Sequence, residues 1–362
     1  MKAVILVGGQ ATRLRPLTTN TPKAIVPVLN TPFLEHVFGH LQRHGVNEIV
    51  LAQHHLAGPI EDYLGDGSRF GVSITYIIEE EARGTAGAVK NVEKYLDDAD
   101  AFLVLNGDVI IDLDITAMVD LHRQHGAIAT IALTPVEDPT AYGLIETDAE
   151  GRVTRFLEKP DWSEVTTNMI NAGIYVLERK VLTRIPPETK VSIERETFPL
   201  LVDDGQPVYA CPSHGYWMDM GTPEKYLQLH RDLLEGKSTW YLPELPDEVR
   251  IGERCDIHPD ARIKGPAVIG DGCTIGRGVN ITGPAVIGNG CTLGKDSIVE
   301  NSVLWSGTRS GERVTVRNSV VANDCRLNTG SHIENAVLGD NVTITTGTRL
   351  EPESRIESGT II

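Results

Sequence analysis

The apolar residues of this chain follow two different rhythms. From residue 1 to about 235, strand-length apolar runs alternate with segments whose apolar residues recur every three or four positions. Ala3–Val7, Glu48–Leu51, Ser73–Ile78 and Ala101–Leu105 predict buried strands, and Phe33–His44, Ala86–Leu96 and Ile115–His125 predict helices. Such alternation predicts an α/β domain with a Rossmann-like, mostly parallel sheet and helices on both faces. Ligands of such sheets lie outside the carboxyl ends of the strands, where Gly8-Gly9 and Gly107-Asp108 stand.

The second rhythm begins after a Pro-containing linker, residues 236–248. An aliphatic residue recurs every six positions at Ile257, Ile263, Ile269, Ile275, Ile281, Ile287, Leu293 and Val299. A mostly small residue stands two places before each, from Cys255 and Ala261 to Ser297. After a break the period returns at Val321, Leu327 and Ile333, then from Leu338 to Ile362. Six residues make one face of a coil and three faces one turn, so residues 249–362 predict a parallel β-helix of hexapeptide repeats. The pattern resembles the left-handed β-helix domains. Cys255, Cys273 and Cys291 then stack in successive coils, as small apolar fillers.

Composition narrows the function. The formal net charge is −17, and residues 245–362 hold 12 basic and 15 acidic side chains, so the first half carries most of the excess. That argues against a nucleic-acid partner, which needs a basic face, but not against a small anion met by a local cation cluster. The five cysteines include no C-x-x-C pair, and no apolar run reaches membrane-span length. A cytoplasmic protein without a membrane partner is expected.

The first turn reads Gly8-Gly9-Gln10-Ala11-Thr12-Arg13-Leu14-Arg15-Pro16, followed by Thr21-Pro22-Lys23-Ala24. It lacks the spacing of the dinucleotide fingerprint and of the G-x-x-x-x-G-K-[ST] phosphate loop. Glycines let a phosphate approach backbone amides, while Arg13 as a planar fork and Lys23 as a point charge can bind a triphosphate. With Gly84-Thr85-Ala86-Gly87, Asn106-Gly107-Asp108, Tyr142-Gly143, Phe156-Leu157-Glu158-Lys159-Pro160, Asn171-Ala172-Gly173 and Trp217-Met218-Asp219-Met220-Gly221, this turn resembles the sugar-1-phosphate nucleotidyltransferases through most of residues 1–235. With the β-helix attached, the chain is most similar to the mannose-1-phosphate guanylyltransferase branch.

The resemblance implies a reaction. A sugar 1-phosphate oxygen attacks the α-phosphorus of a nucleoside triphosphate and pyrophosphate leaves. The nucleophile is already an anion, so the site must align two polyanions and neutralise charge rather than remove a proton. By the same resemblance Asp108 and Asp219 hold Mg²⁺. Arg13 and Lys23 grip the triphosphate, making Arg13, Lys23 and Asp108 the catalytic set. Leu6, Gly8, Gly9, Thr12, Glu79, Gly84 and Thr85 complete the nucleotide site. Gly143, Glu158, Lys159 and Asn171 form the sugar-phosphate site. Without the surrounding motifs, Asp108 and Asp219 would read as strand-end caps and Glu158-Lys159 as a surface ion pair.

Glu79 bears on the base. Relatives using thymidine or uridine triphosphate carry a Gln there, which both donates and accepts. A carboxylate only accepts, and guanine offers two adjacent donors, so Glu79 favours GTP. The other reading makes Glu79-Glu80-Glu81 a solvated turn. Ala11, Ala24 and Arg83 depart from the family pattern. Ala11 is unstrained only if its φ is negative. Three alternatives remain open: a thymidylyl- or uridylyltransferase acting on glucose 1-phosphate, a non-catalytic sensor of nucleotide sugars, and an acyltransferase in the β-helix using His258 or His332, both expected at turns. Exposed coil edges predict a homo-oligomer formed through the β-helix.

Overall fold

A computed structural model of the 362-residue chain describes residues 1–54, 57–238 and 248–362, so most of the expected linker lies outside the described residues. Packing divides the chain into two units, Met1–Gly9 with Leu34–Met218, and Gln10–Phe33 with Asp219–Ile362. The pattern of apolar residues predicts a boundary near 235. The difference arises because residues 10–33 and the helix Pro223–Leu234 make their long-range bonds to the β-helix.

The first unit is built on a nine-stranded sheet. Its parallel part runs in the order Ser73–Ile78, Glu48–Gln53, Lys2–Leu6, Ala101–Asn106. These are the predicted strands, shifted by a residue or two at their ends. The sheet continues through antiparallel strands that the apolar runs did not announce. Met169–Glu178 pairs with both Ala101–Asn106 and Ala129–Pro135, and Gly143–Thr147 pairs with Val153–Glu158. Val4, Phe102, Val104, Ile131, Tyr175, Leu177 and Phe198 are all buried in the core on one side of this sheet. The predicted helices form at Phe33–Arg43, Gly84–Asn91 and Ile115–Gln124. The last of these starts where the Asp114 carboxylate accepts from the Ala117 N–H, a side-chain cap.

In the second unit, three parallel sheets of seven, six and five strands form the faces of the β-helix. Ile257 pairs with Ile275 and Ile275 with Leu293, Ile263 with Ile281, and Ile269 with Ile287. Each fully buried aliphatic side chain contributes roughly 1.5–3 kcal/mol. The break in the period has a local cause. Val286 pairs with Val303, where an unbroken period would bring residue 304. Three corner residues, Gly283-Pro284-Ala285, become two, Asn301-Ser302, and the shortening recurs at Asn318-Ser319 and Asn335-Ala336. Asn301, Asn318 and Asn335 turn these corners with φ of 47°, 46° and 49°, a conformation Asn tolerates better than most residues. The buried Leu304, Ser310 and Val316 thus carry the stack through the apparent gap. The thiols of Cys255, Cys273, Cys291 and Cys325 donate to backbone carbonyls of Gly270, Gly288, Trp305 and Gly339 at 3.1–3.2 Å.

Candidate active site

The strand order of the first unit reverses between Lys2–Leu6 and Ala101–Asn106, the switch point where such sheets bind ligands. Leu6 and Asn106 pair at its edge, and the Gly107 N–H donates to the Leu6 carbonyl at 3.0 Å. Asp108 follows in the turn before Val109–Ile111 and is half-buried. Gly8 lies against His54, whereas among the described residues a methyl on Gly9 would meet nothing within 4 Å.

At the edge of the same sheet, Glu79 follows strand Ser73–Ile78 and is only 6% exposed, while Glu80 and Glu81 are exposed. Its Oε1 is buried without a hydrogen-bond partner among the described residues. Burial pushes the Glu79 carboxyl above the usual carboxylate range, opposed by the charges of Arg83 and His54 and by the Arg83 backbone N–H. Gly84 has φ +72°, and a side chain there would collide with the Val191 carbonyl at 2.5 Å, so the position demands glycine. Thr85 Oγ1 donates to Glu194 Oε2 at 2.6 Å and accepts from the Ile193 N–H at 2.8 Å.

The expected sugar-phosphate residues also converge within this unit. A methyl on Gly143 would meet Glu158 Oε2 at 2.9 Å. The Lys159 N–H donates to the Tyr142 carbonyl at 2.8 Å, and Lys159 itself has φ 53°. Tyr142 meets Trp217 edge-on, with ring centroids 5.3 Å apart, and Trp217 donates to the Ala172 carbonyl at 3.1 Å. Asn171 Nδ2 donates to the Tyr175 hydroxyl at 2.8 Å, and Tyr175 donates to Glu194 Oε1 at 3.3 Å. Burial, then the nearby Glu194 charge, raises the Glu158 carboxyl above its ordinary range, against Arg195 and Lys159.

Glu194 is the residue that sequence reading missed. It accepts from Thr85, Ser192 and Tyr175, and so ties the expected base loop to the expected sugar residues. It sits in a π-turn, Ile193–Thr197, a geometry frequent at functional sites. Its segment, Ser192-Ile193-Glu194-Arg195-Glu196-Thr197, looks like an ordinary charged helix start in the sequence.

The remaining expected residues belong to the second unit. Thr12–Leu14 and Lys23–Ile25 each form one short 3-10 turn. Ala11 has φ 46° and ψ 40°, so its conformation is the strained one. The turn is held by the Leu14 N–H and the Thr18 hydroxyl, both donating to the Ala11 carbonyl, at 3.0 and 2.9 Å. Asp219 Oδ1 accepts from the Gly221 N–H at 3.1 Å, and Oδ2 accepts from Lys225 Nζ at 2.6 Å. A methyl on Gly221 would lie 3.5 Å from an Arg13 guanidinium nitrogen. Lys225 is thus a further cation, unforeseen in the sequence, beside Asp219.

Asp108 and Asp219 offer hard oxygen donors, and among the described residues no group of three or more His, Cys, Asp or Glu is arranged to hold a metal. One or two carboxylates suit Mg²⁺, which keeps its other positions for water and phosphate oxygens. His258 follows strand Asp256–Ile257, and its Nδ1 accepts from the Asp260 N–H at 3.0 Å. His332 lies in strand His332–Glu334 rather than at a turn, with Nε2 3.4 Å from Arg349.

This switch-point architecture and its motifs have clear relatives. A nucleotidyl transferase family model matches residues 2–236, and the chain belongs to that family. A bacterial transferase hexapeptide model of six repeats matches residues 248–283, and a GMPPB C-terminal domain model matches residues 280–356. A mannose-1-phosphate guanylyltransferase of Mycobacterium tuberculosis is 43% identical over 235 residues, 65% of this chain and 65% of its own length. The matched stretch thus spans just under two thirds of that relative. A UTP–glucose-1-phosphate uridylyltransferase of Synechocystis is 37% identical over 85% of this chain and 84% of its own. Among solved structures, a putative glucose-1-phosphate thymidylyltransferase of Bacillus anthracis superposes with a TM-score of 0.58 at 27% identity, covering 63% of this chain and 93% of that one. HddC of Yersinia pseudotuberculosis, complexed with GMP-PN, gives 0.55 at 30% identity, covering 63% and 97%.

Proposed function

We propose that this chain is a mannose-1-phosphate guanylyltransferase. A phosphate oxygen of mannose 1-phosphate attacks the α-phosphorus of GTP. The bond from that phosphorus to the α–β bridging oxygen breaks, yielding GDP-mannose and pyrophosphate. The observation that carries the choice of base is Glu79, a buried carboxylate whose Oε1 has no hydrogen-bond partner among the described residues. It can accept from the two adjacent donors of a guanine edge, where thymine and uracil offer one.

The other roles are those that the family resemblance implies, and the chemistry of the named atoms suits them. Arg13 and Lys23 neutralise the triphosphate. Lys159 draws in the sugar phosphate and Glu158 accepts from a sugar hydroxyl, with the Gly143 amide and Asn171 completing that subsite. Leu6, Gly8, Gly9, Thr12, Gly84 and Thr85 line the nucleotide. Mg²⁺ held by Asp108 and Asp219 would supply two positive charges at the transferring phosphorus. No side chain has to remove a proton, so alignment and charge account for the catalysis.

The Synechocystis relative supports a second reading, uridylyl transfer to glucose 1-phosphate, because its similarity extends over 85% of the chain. A pyrophosphate-release screen decides between them. Four nucleoside triphosphates are tested against mannose, glucose and N-acetylglucosamine 1-phosphates with Mg²⁺. GTP with mannose 1-phosphate is expected to lead, and preference for UTP or dTTP would overturn the guanine assignment. We also infer a homo-oligomer assembled through the β-helix and acting in the cytoplasm, where the free cysteines are at home. A concentration-independent monomer in light scattering would contradict the assembly.

A further inference from the structure

The segment that carries Arg13 and Lys23 is fastened to the β-helix at several points. Asp340, a β-helix residue only 5% exposed, accepts from Asn20 Nδ2 through its Oδ2 at 3.2 Å. Its Oδ1 is fixed by the backbone and side-chain N–H groups of Asn323, both at 3.0 Å. Ten residues beyond Asn20, the tight turn at Leu29 and Asn30 has φ of 50° and 67°, and Asn30 Nδ2 donates to the Ile287 carbonyl at 2.8 Å. Between these points, the buried Trp305 indole donates to the Tyr226 hydroxyl at 2.8 Å, and that hydroxyl donates to the Pro27 carbonyl. Before them, Arg355 donates to the Arg13 carbonyl at 3.4 Å and to Glu224 at 2.8 Å. Lys23 therefore lies in a stretch tethered on both sides to the stacked coils.

Resting on the reading of residues 10–33 as the triphosphate loop, we infer that the β-helix sets the geometry of that loop, with Asp340 and the Ile287 carbonyl positioning it for nucleotide binding. A loop of this length has many conformations, and its cations bind a triphosphate strongly only when both are held in place. Asp340 is suited to this task. A buried carboxylate pinned by two donors from the preceding coil presents its second oxygen to the loop in one orientation.

The test is Asn20→Ala combined with Asn30→Gly in the full-length chain. Asn20 is exposed and glycine accepts the positive φ at 30, so the fold is kept while two tethers are removed. Amide hydrogen exchange over residues 12–30 is measured with the KM of each substrate, and Lys23→Ala is run alongside. Exchange in 12–30 should accelerate, with a rise in the nucleotide KM of about fivefold per tether and a sugar-phosphate KM within about twofold of wild type. A merely structural loss would lower the active fraction and leave both KM values alone. Unchanged exchange would overturn the tethering. Faster exchange with an unchanged nucleotide KM would overturn the positioning role if Lys23→Ala is impaired. If Lys23→Ala is also normal, the triphosphate reading itself has failed.

Discussion

Replacing Glu79 by Gln should move stability and affinity in opposite directions. Without nucleotide, Glu79 is a buried carboxylate with one oxygen lacking a hydrogen-bond partner among the described residues. An unsatisfied buried acceptor costs about 1–3 kcal/mol, more when charged, so neutralising it should stabilise the free protein by roughly 1 kcal/mol. Burial raises the carboxyl above its unfolded value. Stability from the protonated form is therefore complete below the ordinary carboxylate range and declines as pH rises through the raised value. Glu79→Gln should remove that part of the decline. With GTP present the sign reverses. Two charge-assisted bonds to guanine give way to one neutral bond and one donor facing a donor. That is a loss of about 2–3 kcal/mol, or roughly 30- to 150-fold in the GTP KM. The amide should also improve use of UTP or dTTP. Thermal unfolding against pH, with and without GTP, and pyrophosphate release with each nucleotide measure both halves. A variant that melts lower without ligand and keeps the wild-type ratio of GTP to UTP would refute the reasoning.

Glu194→Gln should lower kcat/KM by about tenfold, because the amide cannot accept from Thr85, Ser192 and Tyr175 together; steady-state kinetics reads the loss. The acid limb of kcat/KM for the sugar phosphate should lie above the ordinary carboxylate range, since burial and Glu194 raise Glu158, and Glu194→Gln should shift it to lower pH in a pH-rate profile. Ala11→Gly should stabilise the second unit by about 0.5–1 kcal/mol in thermal unfolding, since it relieves a left-handed alanine. Asp108→Ala should mainly reduce turnover and Lys159→Ala mainly raise the sugar-phosphate KM; near-wild-type turnover in the first would undo its catalytic role.

Much of the fold could be read from the order of apolar residues. Side chains that stack coil on coil leave a strict period, and buried parallel strands leave short continuous runs. The antiparallel part of the sheet escaped because strands such as Gly143–Thr147 and Val153–Glu158 mix polar residues into their apolar runs. The dropped corner residues hid Leu304, Ser310 and Val316, which fall one register early. At the site, the motif-bearing residues were visible because glycines, carboxylates and cations recur in fixed order. Glu194, Lys225 and Asp340 were not, because their roles depend on partners distant in sequence or on a local turn that no residue type announces. Ala11 stands out as a departure from the family pattern, but the sign of its φ accompanies local bonds from Leu14 and Thr18 to its carbonyl that no residue type announces.

The seam between the packed units crosses the chain twice, after Gly9 and after Phe33, before it reaches Met218. The piece that recombination can exchange intact is therefore not a contiguous half of the gene. A chimera joined near residue 235 would pair one ancestor's arginine- and lysine-bearing loop with another's coils, and Asn20 could lose its carboxylate while Tyr226 lost its indole. Such hybrids should recover activity when residues 10–33 and 219–362 are transplanted together, so that two distant stretches of sequence are inherited as a single part.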